Sequence, residues 1–264
     1  MRTPMTDRVQ INIPYRMLKE GYLEKFLEYR LNPEIGFDAD ALEGISVPEA
    51  KAIAEQLHQT GLTITFHGPF MDLSPGSPDP EIRKISRKRY DQLAALVPLF
   101  KPITVVCHTG YDHKRYRDMR EQWLENSLKT WGPLAAGMQR EGTRLMLENV
   151  YERSPSEMLP LFENLTEHGV GFCLDMGHQA VFGDSVPLNQ WLQSLSPHLQ
   201  QLHLHDNMGA RDDHWAPGQG NIRFHHLFET LVALGIRPLA VTLEPHKEED
   251  LEPGLEYLAP IWPW

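Results

Sequence analysis

Short apolar runs alternate with longer helical patterns along this chain, and that alternation limits its fold more than any other feature. The runs that read as strands are Val9–Ile13, Glu34–Phe37, Leu62–Phe66, Ile103–Cys107, Arg144–Leu147, Gly171–Leu174, Leu202–Leu204 and Leu239–Leu243. Helical spacing is predicted over Pro48–Gln59, Pro80–Leu99, Tyr116–Arg140, Pro155–His168, Leu188–Ser194 and Phe224–Leu234. Gly61, Gly142, Gly169 and Gly235 each follow a helical stretch and precede a strand, where glycine accepts the left-handed backbone that ends a helix. Strands joined through helices pair in parallel, and closing eight such units makes a (β/α)8 TIM barrel of roughly 250 residues. A doubly wound open sheet is the alternative. No linker, low-complexity tract or charge block divides the 264 residues, so one α/β domain over 1–264 is expected.

With 41% hydrophobic and 23% charged residues, the chain has the composition of a soluble globular protein. No apolar run approaches the roughly 20 residues that cross a bilayer. The opening MRTPMTDRVQ lacks the apolar stretch of a secretory signal, so a cytoplasmic location without membrane partners is expected. Strand alternation turns Cys107 outward and Cys173 inward, which argues against a disulfide between them. The net charge of −11 weighs against general nucleic-acid affinity, which Lys and Arg would have to supply.

The ends of the strands carry the functional signal. The residue at each C-terminal edge is His67 in TITFHGPF, His108 in TVVCHTG, Glu148 in LMLENV, Asp175 in GFCLDMGH, His203 in QQLHLHDN and Glu244 in AVTLEPH. In a barrel these edges meet at one mouth. Each residue alone has an ordinary explanation: a hydrogen-bonded buried histidine, a helix cap at Asp175, or a solvated strand end at Glu148. Repetition at one relative position on six consecutive strands instead predicts a shared cation site. The loop after strand seven adds Asp212 and His214, two residues apart, with Gly218 and Gly220 allowing tight turns. His178 reaches the same region from the loop after strand six.

From Leu62 to Glu244 the sequence resembles the xylose isomerase-like barrels, on HGPF, CHTG, LEN, LDMGH, HLHDN with DDHWAPGQGNI, and LEP. The resemblance implies a divalent-metal centre with Glu148, Asp175, His203 and Glu244 as its core ligands. The endonuclease IV branch looks similar further out. Its three-zinc cluster would fall on His67, His108, Glu148, Asp175, His178, His203, Asp212, His214 and Glu244, each of the matching residue type.

Two chemistries follow. In the first, an isomerase or epimerase of a sugar, sugar phosphate or similar hydroxy-carbonyl compound, one Mn, Mg or Co ion would stabilise an enediolate. Glu148 and Glu244 would be the catalytic acid and base on opposite sides of the substrate, with His178, His108, His205, Arg211 and Phe70 as substrate contacts. In the second, a multi-zinc phosphodiester hydrolase at abasic DNA, five imidazoles suit zinc and Glu148 bridges two ions. Two basic runs, Arg83 to Arg89 and His113 to Arg117, would support it, although the first reads better as a solvated helix face and the second as a contact for a substrate phosphate at the barrel mouth, or none. The acidic, short chain favours the first chemistry and a small carbohydrate-like substrate. Arg211 is the nearest match to the arginine clamp of ketose epimerases, and the lysine pair of true xylose isomerases is not evident. A metal-loaded barrel that only binds a ligand is a third reading. Oligomeric state is not indicated. The apolar ending Ala259–Trp264, costly to leave in water, could dock on its own barrel or on a neighbouring subunit, and the sequence does not choose between them.

Overall fold

Every strand of the chain pairs in parallel with its sequence neighbour. The strands are β1 (Val9–Pro14), β2 (Asn32–Gly36), β3 (Thr65–His67), β4 (Thr104–His108), β5 (Arg144–Glu148), β6 (Gly171–Asp175), β7 (Leu199–Leu204) and β8 (Ala240–Leu243). Strand β8 pairs back onto β1 through Val9↔Val241 and Ile11↔Leu243, so the sheet closes into a (β/α)8 TIM barrel. This computed structural model describes Met5 and residues 8–264. The opening segment, from which the cytoplasmic expectation comes, lies largely outside the described residues. Among the described residues no helix is long and apolar enough to cross a membrane.

Alternation along the strands divides the residues between two environments. Outward-facing side chains such as Ile35, Phe66, Val105, Cys107, Leu147, Leu174 and Leu202 pack under the surrounding helices in one large core. Val106, Met146 and Cys173 form a separate, fully buried cluster two residues below His108, Glu148 and Asp175. The two cysteines thus sit in different layers as unpaired thiols. The remaining staves fill the interior with polar groups, including Gln10, Glu34, Thr65, Gln201 and Thr242.

The helices differ from the predicted stretches where proline intervenes. Pro80–Leu99 is two helices, Pro80–Ala94 and Val97–Phe100, because Pro98 has no N–H to give mid-helix and fits only in a first turn. Tyr116–Arg140 also breaks, with no proline at the break: a short 3-10 turn at Arg117–Met119 precedes the 21-residue helix Arg120–Arg140, which buries Trp123, Trp131 and Met138 and carries Pro133 within it. Helices Leu23–Tyr29, Ala39–Gly44, Met176–Phe182 and Leu251–Leu258 lie outside the predicted stretches. The four predicted helix-ending glycines all have φ between 63° and 79°. At the C-terminus Trp262 and Trp264 dock on Phe228 of this same barrel, with ring centroids 5.8 and 5.4 Å away.

Candidate metal centre

Glu148 and Asp175 end β5 and β6, His203 lies on β7, and Glu244 immediately follows β8. The first three are fully buried and Glu244 nearly so. His203 Nδ1 stands 3.0 Å from Glu244 Oε1 and 3.5 Å from Glu148 Oε1. Glu148 Oε1, Asp175 Oδ2 and His203 Nδ1 are all buried without a hydrogen-bond partner. A buried polar atom left unpartnered costs about 1–3 kcal/mol. Orphans contributed by three adjacent strands, all of ligand type, therefore fit a bound cation. The four core residues are linked through overlapping groups of ligand atoms and do not collapse into one tight set.

Asp175 serves as cap and candidate ligand together. Its Oδ1 accepts the backbone N–H of His178 at 2.6 Å, capping helix Met176–Phe182, and lies 3.1 Å from His205 Nε2. Only Oδ2 is left over. Asn149 fixes the carboxylate from behind: its side chain accepts the Asp175 N–H at 2.9 Å and donates to the Asp175 carbonyl at 3.0 Å. The residue after Glu148 thus locks β5 to β6.

The nine predicted ligands, five imidazoles and four carboxylates, form one connected array. Glu148 Oε2 faces His67 Nε2 at 3.2 Å and His108 Nε2 at 3.6 Å, while Oε1 faces His203 and His178. Asp212 Oδ2 lies 3.3 Å from His178 Nε2 and 3.4 Å from His214 Nε2. Main-chain carbonyls orient three of the rings: His67 Nδ1 donates to Gly68, His178 Nδ1 to Asn149 and His214 Nδ1 to Glu244, at 3.0, 3.0 and 3.2 Å. Each ring thereby presents Nε2 inward, as outer-shell partners of metal-bound histidines do. Asp212 and His214 come together with His214 in the left-handed region, φ 52°.

Charge in this array is shared between neighbours. Burial alone would push the His67, His178 and His203 imidazoles down, but the carboxylates beside them hold all three above the usual range. Burial would raise Glu148 and Glu244, yet His203 and its neighbours keep both below it. His108 is the exception: burial takes it down to about 3, and the facing His67 and His178 add to that. The carboxylates remain anionic and call for positive charge, which protons supply here and a divalent ion supplies equally.

Other expected contacts fall in different places. Phe70 stacks over His108 with centroids 4.5 Å apart and stays half exposed. His205 is buried and stacks on His214 at 3.6 Å, and His214 stacks in turn on His246 at 3.9 Å. Gly177 makes room for His205, since a Cβ there would meet the ring. The Arg211 side chain is 85% exposed, with Asp213 at 3.9 Å, and the fold does not bring it to the cluster. The first basic run is a solvated helix face whose Lys88 and Arg89 pair with Glu43. In the second run His113 pairs with Glu157, Arg115 with Asp112 and Arg117 with Asp118.

Three residues outside the predicted set also shape the site. Asp206, directly after HLH, accepts four backbone N–H groups, from Asn207 and Ile222 on Oδ1 and from Gly218 and Gly220 on Oδ2, all at 2.9–3.0 Å. It ties down the loop that carries Asp212 and His214. Glu34 and His246 are the others, and neither sits at a strand end, where the sequence signal lies.

Among solved structures, the TTHB071 protein of Thermus thermophilus, studied with ZnCl2 soaking, superposes with a TM-score of 0.82 over 97% of this chain and 98% of its own, at 25% identity. A probable endonuclease 4 of Mycobacterium leprae is 24% identical over 77% of this chain and 82% of its own length. The D-psicose 3-epimerase of Ruminiclostridium cellulolyticum is 26% identical over 76% of this chain and 68% of its own. The family described as xylose isomerase-like TIM barrel matches residues 32–261. A closed parallel barrel with carboxylates and imidazoles at its strand ends accords with that match, and the chain belongs to the xylose isomerase-like TIM barrel family.

Proposed function

We propose that this protein is a divalent-metal-dependent isomerase or epimerase of a sugar or similar small hydroxy-carbonyl compound. The observation that carries the reading is the unpartnered trio Glu148 Oε1, Asp175 Oδ2 and His203 Nδ1, with Glu244 beside it. A bound divalent ion would polarise neighbouring carbonyl and hydroxyl oxygens of the substrate. Glu148 and Glu244 are held anionic and reach the centre from β5 and from the end of β8, so one can accept a carbon-bound proton while the other returns it. His108 and His178 stand beside each other at the same centre, ring centroids 6.1 Å apart, and Phe70 stacks over His108. The epimerase relative supports this substrate class, and the net charge of −11 disfavours a polyanionic one. The test is incubation of D-psicose or a related ketose with Mn2+-loaded protein in heavy water. Deuterium at the carbon beside the carbonyl is expected, and a panel of ketoses showing no exchange counts against the reading.

One observation favours a second reading, a multi-zinc phosphodiester hydrolase. The carbonyl-fixed His67, His178 and His214 present Nε2 atoms to Glu148 and Asp212, which gives more ligands than one ion uses. The endonuclease 4 relative points the same way. About three zinc per chain together with cleavage of an abasic duplex would establish it over the first.

A further inference from the structure

Glu34 is a fully buried carboxylate in the middle of β2, surrounded by polar groups from four other strands. Its Oε2 accepts three hydrogen bonds, from Thr65 Oγ1 at 3.0 Å, Gln201 Nε2 at 2.8 Å and Thr242 Oγ1 at 2.9 Å. Its Oε1 faces His203 Nε2 at 3.1 Å, with Asn12 Nδ2 at 3.4 Å. Every partner except His203 is neutral. An isolated buried carboxylate is costly, so this one is compensated through the imidazole it touches.

We propose that Glu34 is a positioning residue for the metal centre, accepting the Nε2 proton of His203 so that the bare Nδ1 points at the cation. The proposal rests on the metal-centre reading above. Glu34, His203 and Glu244 do offer ligand atoms within 4.8 Å of one another. Glu34 is nonetheless a poor ligand, because its Oε2 is saturated and its Oε1 meets the far nitrogen of His203. That leaves Nδ1, buried and without a hydrogen-bond partner, between Glu148 and Glu244. Which ring nitrogen binds a metal is set by the hydrogen bond the other one makes.

The geometry makes an unusual demand of the near-isosteric variant. In Glu34→Gln the three donors converging on the Oε2 position keep the amide oxygen there, so the amide NH2 faces His203 Nε2. An amide NH2 cannot accept a hydrogen bond. His203 would then keep Nε2 bare and carry its proton on Nδ1, the atom needed by the metal. Glu34→Ala removes the acceptor and leaves only the Gln201 amide, whose Nε2 lies 3.4 Å from His203 Nε2, as a weaker opposing donor. The conservative change is therefore expected to harm metal binding more than the truncation, the reverse of what packing alone dictates.

The test is titration of Co2+ into the metal-free full chain by competition, with circular dichroism checking the fold of each variant. Glu34→Gln is expected to weaken Co2+ binding about 10–100-fold, and Glu34→Ala by less. Thr242→Val, which removes one donor to Oε2 and an acceptor for the Gln201 amide but leaves Oε1 and His203 facing each other, should stay within about twofold of the unchanged protein. In a His203→Ala background Glu34→Gln should also change affinity by no more than about twofold, and this comparison decides even if Glu34→Ala fails to fold. Wild-type affinity in Glu34→Gln, a larger loss in Glu34→Ala, or an undiminished effect without His203 each overturns the proposal. If the unchanged protein takes up no Co2+, the metal centre itself fails and Glu34 falls with it; uptake unaffected by the variants sinks Glu34 alone.

Discussion

Glu148 touches more of the centre than any other residue, with one oxygen toward His67 and His108 and the other toward His178 and His203. Glu148→Gln keeps its shape but removes its charge and basicity. Turnover is expected to fall about 10²–10⁴-fold, the usual contribution of a positioned acid or base, while a metal still binds with reduced affinity. Full turnover in that variant, measured by deuterium exchange on the substrate, removes the proposed proton role. Glu152 shows what burial does to a carboxylate with no cation beside it. It accepts the Thr109 hydroxyl and the Val150 N–H, yet burial pushes it up to about 7. The folded state therefore holds a proton that the unfolded chain releases near pH 4.5. Stability is penalised as pH rises from there to about 7, and the penalty is complete above it. Glu152→Gln should thus gain on the wild type by about 2–3 kcal/mol between about pH 4 and pH 8 in denaturant titrations. A pH-independent difference would show that Glu152 does not titrate in this range.

At the scale of elements, one carboxylate gathers both ends of the loop from Asn207 to Ile222, beside the backbone pairing of Asp206 with Trp215. Asp206 holds four of its amides, and Gly220 has no space for a side chain beside Asn207 and Asp206. Asp206→Ala leaves the buried Asn207 and Ile222 donors unpartnered at roughly 1–3 kcal/mol each, while the more exposed Gly218 and Gly220 amides can turn to water. Gly218, Gly220 and Ile222 amides are expected to lose hydrogen-exchange protection while β7 and β8 keep theirs, and metal affinity falls because Asp212 and His214 are no longer fixed. Unchanged protection at those amides would mean that the loop has another anchor. The sequence made the strands and the six strand-end residues legible because apolar runs and their terminal polar residues are local patterns. Asp206 was hidden for the opposite reason: its partners lie up to 16 residues away and are backbone groups, which no side-chain pattern reveals. Glu34 was hidden because it lies mid-strand behind Pro33, and its role depends on residues from β1, β3, β7 and β8. Arg211, the nearest match to the arginine clamp of ketose epimerases, has its side chain in solvent once the loop is folded.

For the whole molecule, the centre is also a clasp. Its ligands come from β3 through β8 and the loop after β7, so a cation bound there ties together most of the barrel's circumference. The unfolded chain has no such preformed site, and metal binding therefore stabilises the fold by mass action. At about one hundred times the dissociation constant the gain per ion is about 2.7 kcal/mol, enough to raise the melting temperature by roughly 5–10 °C in a chain of this size. The slope says more than the shift. Above saturation each bound ion adds about 1.4 kcal/mol of stability per tenfold rise in free metal, so one ion gives that slope and three give about 4 kcal/mol. Denaturant unfolding across two decades of buffered Mn2+ and Zn2+ thus counts the ions without a substrate. A unit slope with both metals favours the single-ion isomerase, and a threefold slope with Zn2+ favours the hydrolase. Stability flat in either metal would contradict the barrel mouth as a cation site, because ligands from six strands cannot close on an ion without resisting separation.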